Sequence, residues 1–246
     1  MSISLVTCYY EFESKHSNTD YRRWIKNLLN ELTCNIIIFT SNDLVSFLKK
    51  EMNHNNVLFV IKPLKQLSIA LKYKHIWEKQ YKLDSPEKWG GRTIGCYVVW
   101  NSKFQFLKEA IDINPFKSDK FIWNDIGSMR SNSYAHLLKN YPNYHTISKD
   151  KLDIVLLKGF TNPKQRFFEN EVHLSCSIFG GHKDVILNLH KKYYEMFETY
   201  LENNQFIGCD QQIMSSLLLK NTELFNLITP NNRIIDPWFW LYYYWS

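Results

Sequence analysis

The sequence predicts an α/β fold in a single domain, a mixed and mainly parallel sheet flanked by helices. Three observations predict it. Short β-rich apolar runs alternate with helical-period segments along the first half of the chain, the pattern of βαβ units. A chain of 246 residues is long enough to bury roughly 70–75% of the surface its unfolded form exposes, so a core forms without disulfides or structural metal. No internal repeat, low-complexity tract or Pro/Gly/Ser-rich linker divides the sequence, so one domain over 1–246 is the simplest organisation, with 1–127 and 128–246 as its two halves.

The elements follow in order. Ser4 to Tyr9 (SLVTCY) reads as a buried first strand. From Thr19 to Leu32, the residues Tyr21, Trp24, Ile25, Leu28, Leu29 and Leu32 recur at helical spacing. Asn35 to Thr40 (NIIIFT) is a second strand, and Ser41-Asn42-Asp43 is an N-cap cluster that opens a helix toward Phe47 and Leu48. Val57 to Ile61 is a third strand closed by Lys62-Pro63, with a helix expected over Leu64 to Tyr81. Asp84 to Gly91 (DSPEKWGG) is rich in breakers and reads as a loop. A helix is expected from Thr93 to Ile113, stopped by Asn114-Pro115, and a short strand from Lys120 to Trp123. Lys151–Leu157 and Val172–Phe179 are further strands; Gly180-Gly181 is expected to open a long amphipathic helix, and Gly208 to Leu219 holds another. The aromatic C-terminus, Trp238 to Trp245 (WFWLYYYW), is expected either to pack on the core or to offer a binding surface.

Composition narrows the function. Thirty basic residues against 24 acidic ones give a formal charge of +6, a mild excess that suits a small anionic ligand. No dense basic run appears, so nucleic acid is not expected as a partner. The five cysteines show no C-x-x-C spacing, which argues against a zinc or redox motif and for a reducing compartment. None of the 23 asparagines lies in a glycosylation sequon. No run of about 18 apolar residues is present, and the N-terminus lacks the basic and apolar regions of a secretory signal. A cytoplasmic protein with no transmembrane segment is expected, with peripheral membrane contact left open.

The chemistry-bearing residues cluster from Asn101 to Gly127. Asp125 stands just past the Lys120–Trp123 strand, the edge where open α/β sheets bind ligands, and Gly127 lets the chain turn closely there. A carboxylate so placed suits a divalent cation beside a diphosphate. Lys103 lies on the preceding helix, where it could reach a phosphate. Ser177–His182 (SIFGGH) and Ile207–Gln212 (IGCDQQ) offer Gly180, Gly181, His182, Asp210 and Gln211 near helix starts.

The blocks TCYYEF, NSKFQFLKEA, NPF, FIWNDIG, SIFGG and CDQQIM together resemble the HtrL/YibB (WlaTC/HtrL) family of glycosyltransferase-like proteins over roughly Ile3 to Phe225. More distantly the layout is similar to family 8 glycosyltransferases, the glycogenin-like enzymes. The resemblance implies a GT-A, Rossmann-like fold and a nucleotide-diphosphate sugar donor, first of all a UDP-sugar, with Mn²⁺ or Mg²⁺ and a glycan or glycolipid acceptor. It implies Asp125 as the metal carboxylate and Lys103 as the cation near the diphosphate. Thr7, Tyr9, Tyr10 and Asn124 then fall on the nucleotide side, and Trp123, Gly180, Gly181 and His182 on the sugar and acceptor side. Asp210 and Gln211 match the later Asp-Gln of the catalytic centre. Trp123 stands where a full Asp-x-Asp would have its first carboxylate, so metal holding would rest on Asp125 with a distant ligand such as His182 or Asp210, or metal dependence would be weak. Inversion or retention is not decided by these residues. The alternative is a catalytically inactive domain of the same fold that binds a nucleotide sugar or a partner. A nucleotidyltransferase is disfavoured because no glycine follows the first strand.

Overall fold

The computed structural model describes residues 2–84, 91–169, 171–232 and 235–246. A single seven-stranded sheet runs through it in the order β3-β2-β1-β4-β6-β5-β7. The strands are β1 (Ile3–Tyr9), β2 (Asn35–Thr40), β3 (Val57–Ile61), β4 (Lys120–Asn124), β5 (Leu152–Leu156), β6 (Leu174–His182) and β7 (Phe225–Ile228). β6 alone runs against its neighbours; β1 pairs in parallel with both β2 and β4, β2 with β3, and β5 with β7. The expected mainly parallel α/β fold is therefore the observed one. The sheet passes through both halves of the sequence, joined where β4 pairs with β6.

The helices are α1 (Asn18–Leu29), α2 (Val45–Lys50), α3 (Ser68–Lys72), α4 (Lys74–Leu83), α5 (Ile94–Asn101), α6 (Lys103–Ile113), α7 (Lys183–Glu202), α8 (Asp210–Lys220) and the single turn α9 (Leu241–Tyr244). They cover both faces, as a parallel sheet buried on two sides requires. On one face Phe104, Leu107, Leu189, Tyr193, Phe197 and Ile213 pack against Val6, Phe121 and Trp123. On the other, Ile25, Leu28 and the C-terminal Trp240, Tyr242 and Trp245 pack against Leu5, Ile36 and Ile122. The aromatic tail is thus largely core. Among the described residues no helix is long and apolar enough to cross a membrane.

Three expectations need correction. The helix over Leu64–Tyr81 is a 3₁₀ turn followed by α3 and α4, which part at Tyr73. The helix over Thr93–Ile113 is broken at Ser102, whose hydroxyl donates back to the Val98 carbonyl at 2.7 Å, the local competition that bends helices at serine. Gly180 and Gly181 do not open a helix: they lie within β6, and α7 starts after them with His182 as its N-cap. A Cβ on Gly180 would stand 2.7 Å from the Phe121 carbonyl, and one on Gly181 2.8 Å from that of Lys151. The glycines let β6 lie close against the neighbouring backbones. β7 and the 3₁₀ segment Asn132–Lys139 were not expected from the pattern. The expected loop at Asp84–Gly91 falls mostly outside the described residues.

Candidate functional site

β1 lies at the point where the parallel strand order reverses, with β2 on one side and β4 on the other. Crevices in open α/β sheets form past the carboxyl ends of such a pair, and one is found here. A cavity of about 110 Å³ is walled by Tyr9, Tyr10 and Phe12 after β1, by Tyr21 of α1, by Trp100 of α5, and by Trp123 and the Asp125–Arg130 turn after β4. Gly127 in that turn is required by packing: a Cβ there would stand 2.9 Å from the Tyr21 ring.

The charged centre of the site lies at the wall of this cavity. Lys103 opens α6 because Ser102 interrupts the helix, and its side chain is only 5% exposed. Its ammonium donates to the Cys176 carbonyl at 2.8 Å and lies 3.2 Å from Asp125 Oδ1 and 2.9 Å from Asp210 Oδ2. These three oxygens surround the ammonium: the Cys176 carbonyl as a hydrogen-bond acceptor, the two carboxylates as ion-pair partners. Burial, the largest influence on Lys103, pushes it toward deprotonation; the charges of Asp125 and Asp210 overcome that and hold it above its ordinary value. Asp210 is raised as well. Burial raises it above the usual carboxylate range, and Lys103 only partly restrains the rise. Asp125 Oδ1 also accepts a hydrogen bond from Trp123 Nε1 at 2.7 Å, and its backbone N–H donates to the Ser177 carbonyl at 2.7 Å. The carboxylate is therefore held at Oδ1 by Trp123 and Lys103 and its backbone by Ser177, while its side chain stays 32% exposed.

The structure brings Tyr9, Tyr10, Trp123 and Asp125 together around one cavity, with Lys103 touching Asp125 from behind. Asp210 belongs to the same ion cluster but does not line the cavity. It faces a separate void of about 10 Å³, and Trp100 forms a wall common to both spaces. Asp210 reaches the cavity only through Lys103. Gln211 next to it is spent on structure, donating to the Leu174 carbonyl at 2.9 Å.

The other expected residues lie elsewhere. Thr7 is wholly buried inside β1. Asn124 is wholly buried too, and its side chain is used by Ser128, Tyr242 and Tyr141. His182 pairs with Lys120 at the far end of β4 and Gly180 and Gly181 pair with Ile122 and Phe121. At ~3.4 Å per residue along a strand, His182 sits roughly 13 Å or more from the end of β4 that carries Asp125. The glycine pair and His182 thus do not share the cavity with Asp125.

One charged residue of the cavity escaped the sequence reading. Arg130 lines the cavity, in the same turn as Asp125. Its guanidinium carbon is 4.9 Å from the Trp24 ring centre and 5.4 Å from that of Phe239. Its only sequence signal was its place five positions after Asp125.

The donors leave no place for a divalent cation between Asp125 and Asp210. Trp123 and Lys103 occupy Asp125 Oδ1, Lys103 sits between Asp125 and Asp210, and His182 is distant. No group of three or more His, Cys, Asp or Glu side chains suited to a metal occurs among the described residues. The position between the two carboxylates is already filled by an ammonium.

Among curated proteins no match is found. A family described as "Bacterial protein of unknown function (HtrL_YibB)" matches residues 67–245, a span that holds Lys103, Asp125, Arg130 and Asp210 and leaves β1 to β3 outside. Since that match covers well over half of the sequence, the chain belongs to the HtrL_YibB family.

Proposed function

We propose that this protein is a glycosyltransferase that takes a sugar from a nucleotide-diphosphate donor, UDP-linked in the first instance, to a hydroxyl of a glycan or glycolipid. The observation that carries the reading is the cavity at the β1/β4 switch point, where aromatic walls meet one fixed, partly exposed carboxylate backed by a buried lysine. Aromatic faces suit a base or a sugar ring, and a cavity at this position of the sheet suits a nucleotide.

In this reading the bond between the anomeric carbon and the β-phosphate oxygen breaks. The electron pair leaves with the diphosphate, and the anomeric carbon gains oxocarbenium character, as in glycoside hydrolysis. Asp125 is the one acidic side chain among the described residues lining the cavity. It is the group able to steady that positive charge or to take the acceptor proton. Asp210, expected as the base, acts instead as a positioning residue, through Lys103. A GT-A fold and a cytoplasmic location belong to the same proposal; five free cysteines accord with a reducing compartment.

The test is a thermal-shift and hydrolysis screen of the full chain with UDP-, GDP- and CDP-sugars. Binding of one of them, with Asp125→Asn retaining that binding but losing about 10²–10³ in turnover, supports the transferase. Binding without turnover by the unmodified protein supports the inactive binding domain. No shift or turnover with any nucleotide sugar overturns both.

A further inference from the structure

We propose that this cavity binds its nucleoside diphosphate without a divalent cation: Lys103 is a built-in cation between the two carboxylates, and Arg130 is the side chain that grips the phosphates. The inference rests on the nucleotide-sugar reading and goes beyond it, by assigning the countercharge.

Lys103 comes first. A metal bridging Asp125 and Asp210 would have to stand where Nζ stands, 3.2 and 2.9 Å from their oxygens. The ammonium cannot move aside cheaply, because it is buried and donates a hydrogen bond to the Cys176 carbonyl. Two carboxylates and one ammonium leave the cluster with a net charge of about −1. Lys103 does not line the cavity, and three oxygens already surround its ammonium, so it is not placed to take a phosphate oxygen as well. Its work is to lower the negative charge next to the cavity and to hold Asp125 in place.

A diphosphate entering beside that residual charge needs a cation that is not already committed. Arg130 meets the requirement. It lines the same cavity as Asp125 and Ser128. The rings of Trp24 and Phe239 hold its guanidinium through their faces, a contact that orients the planar group while leaving its N–H donors unused. Among the described residues no carboxylate forms an ion pair with it and no acceptor takes its protons. Among neighbouring charged groups, His16 on the chain before α1 feels the Arg130 charge, Asp125 acts together with Arg130 on Tyr21, and Asp236 acts together with Arg130 on Tyr134. The guanidinium fork matches two phosphate oxygens at once, a geometry that a lysine cannot copy.

The experiment titrates UDP into the full chain by calorimetry, once in excess EDTA and once with MnCl₂ or MgCl₂. The expected result is an affinity that differs by less than about threefold between the buffers. Arg130→Ala is expected to weaken UDP binding about 10- to 100-fold, the loss typical of a charge-assisted hydrogen-bonded contact, and Arg130→Lys to recover only part of it. Arg130 is exposed, so a melting curve close to that of the unmodified protein is expected for both variants, and the EDTA arm needs no variant at all. UDP binding that needs the metal, or Arg130→Ala binding UDP as tightly as the unmodified protein, overturns the inference and leaves the nucleotide reading intact. Failure of every nucleoside diphosphate to bind in either buffer overturns the nucleotide reading itself.

Discussion

The Lys103 ammonium lies 3.2 Å from Asp125 Oδ1, joining the start of α6 to the turn after β4. Asp210 reaches the same ammonium from the start of α8, so three elements distant in sequence are tied by one buried cation. Two acids share one base, and that imbalance sets how the site responds to substitution and to pH.

Replacing the cation should cost more than removing either anion. Lys103→Met leaves two carboxylates facing each other with little water, and breaking a buried pair in this way costs about 3–5 kcal/mol. Asp210→Asn leaves Lys103 balanced by Asp125 alone and should cost clearly less. The pH dependence follows from the sign of the Asp210 shift. A carboxyl raised by burial contributes stability that is complete below the ordinary value of ~3.9 and is lost as pH rises through its folded value. Without Lys103 the upward push is no longer opposed. The deficit of Lys103→Met should therefore be larger at about pH 8 than at about pH 5. Urea unfolding at the two pH values measures it, and an equal deficit at both would contradict the coupling.

Gly180 tests the far end of the sheet. A methyl group there would stand 2.7 Å from the Phe121 carbonyl oxygen and 2.9 Å from Ile122 Cγ1. Gly180→Ala should destabilise the fold by about 1–3 kcal/mol, as overpacking does, and leave UDP affinity unchanged once the protein is folded. Lost affinity at unchanged stability would return the sugar site to the glycine pair.

These two cases mark what the sequence made legible. β2 and β3 were readable to the residue because an apolar β-branched run between breakers has few other ways to fold. Asp125 and Asp210 were found as candidates because each falls at a strand end or a helix start, and Lys103 because it lies on the helix that precedes the Asp125 strand. What was hidden depends on direction and on distant contacts. Side chains alternate along a strand, so Trp123 and Asp125 face the cavity while Asn124 between them turns into the opposite layer. The break at Ser102 rests on a side-chain hydrogen bond that periodicity does not register. A glycine pair serves a turn and a close strand contact equally well, and only the neighbouring backbones of Phe121 and Lys151 decide between them. Arg130 could not be recognised before Trp24 and Phe239 were known to hold it.

The thiols should be quiet in the native protein. Cys8, Cys96, Cys176 and Cys209 are buried and Cys34 is half-buried, and burial pushes all five up, Cys34 and Cys209 to about 12. The thiolate is the reactive form, so a thiol reagent at about pH 8 meets almost none of it. Fewer than one equivalent should react rapidly before unfolding, and all five in denaturant. A fast native thiol shielded by UDP would instead mark Cys8 or Cys96 as an open part of the cavity wall.

Within the aromatic tail Phe239 lines the cavity and holds Arg130, whereas Trp245 should matter to stability and not to the ligand. Trp245 is fully buried, and its Nε1 donates at 3.1 Å to Asp153 Oδ2, itself a buried carboxylate that Ser148 and Asn226 also satisfy. Tyr242 lies in the same layer and donates to, or accepts from, Ser128 at 2.6 Å, so the tail braces the turn that carries Asp125. Trp245→Ala should cost about 3–5 kcal/mol, the usual loss for a buried tryptophan. Trp245→Phe keeps most of the apolar contact and drops one hydrogen bond to a charged group, about 1.5–3 kcal/mol. Trp238→Ala, at a side chain that stays 36% exposed, should change stability by no more than about 0.5 kcal/mol. Chemical denaturation of the three variants gives the order, with UDP titration of the folded fraction alongside. Since Trp245 lies outside the lining of the cavity, a fall in UDP affinity without a fall in stability in its variants would show that Trp245 itself serves the ligand.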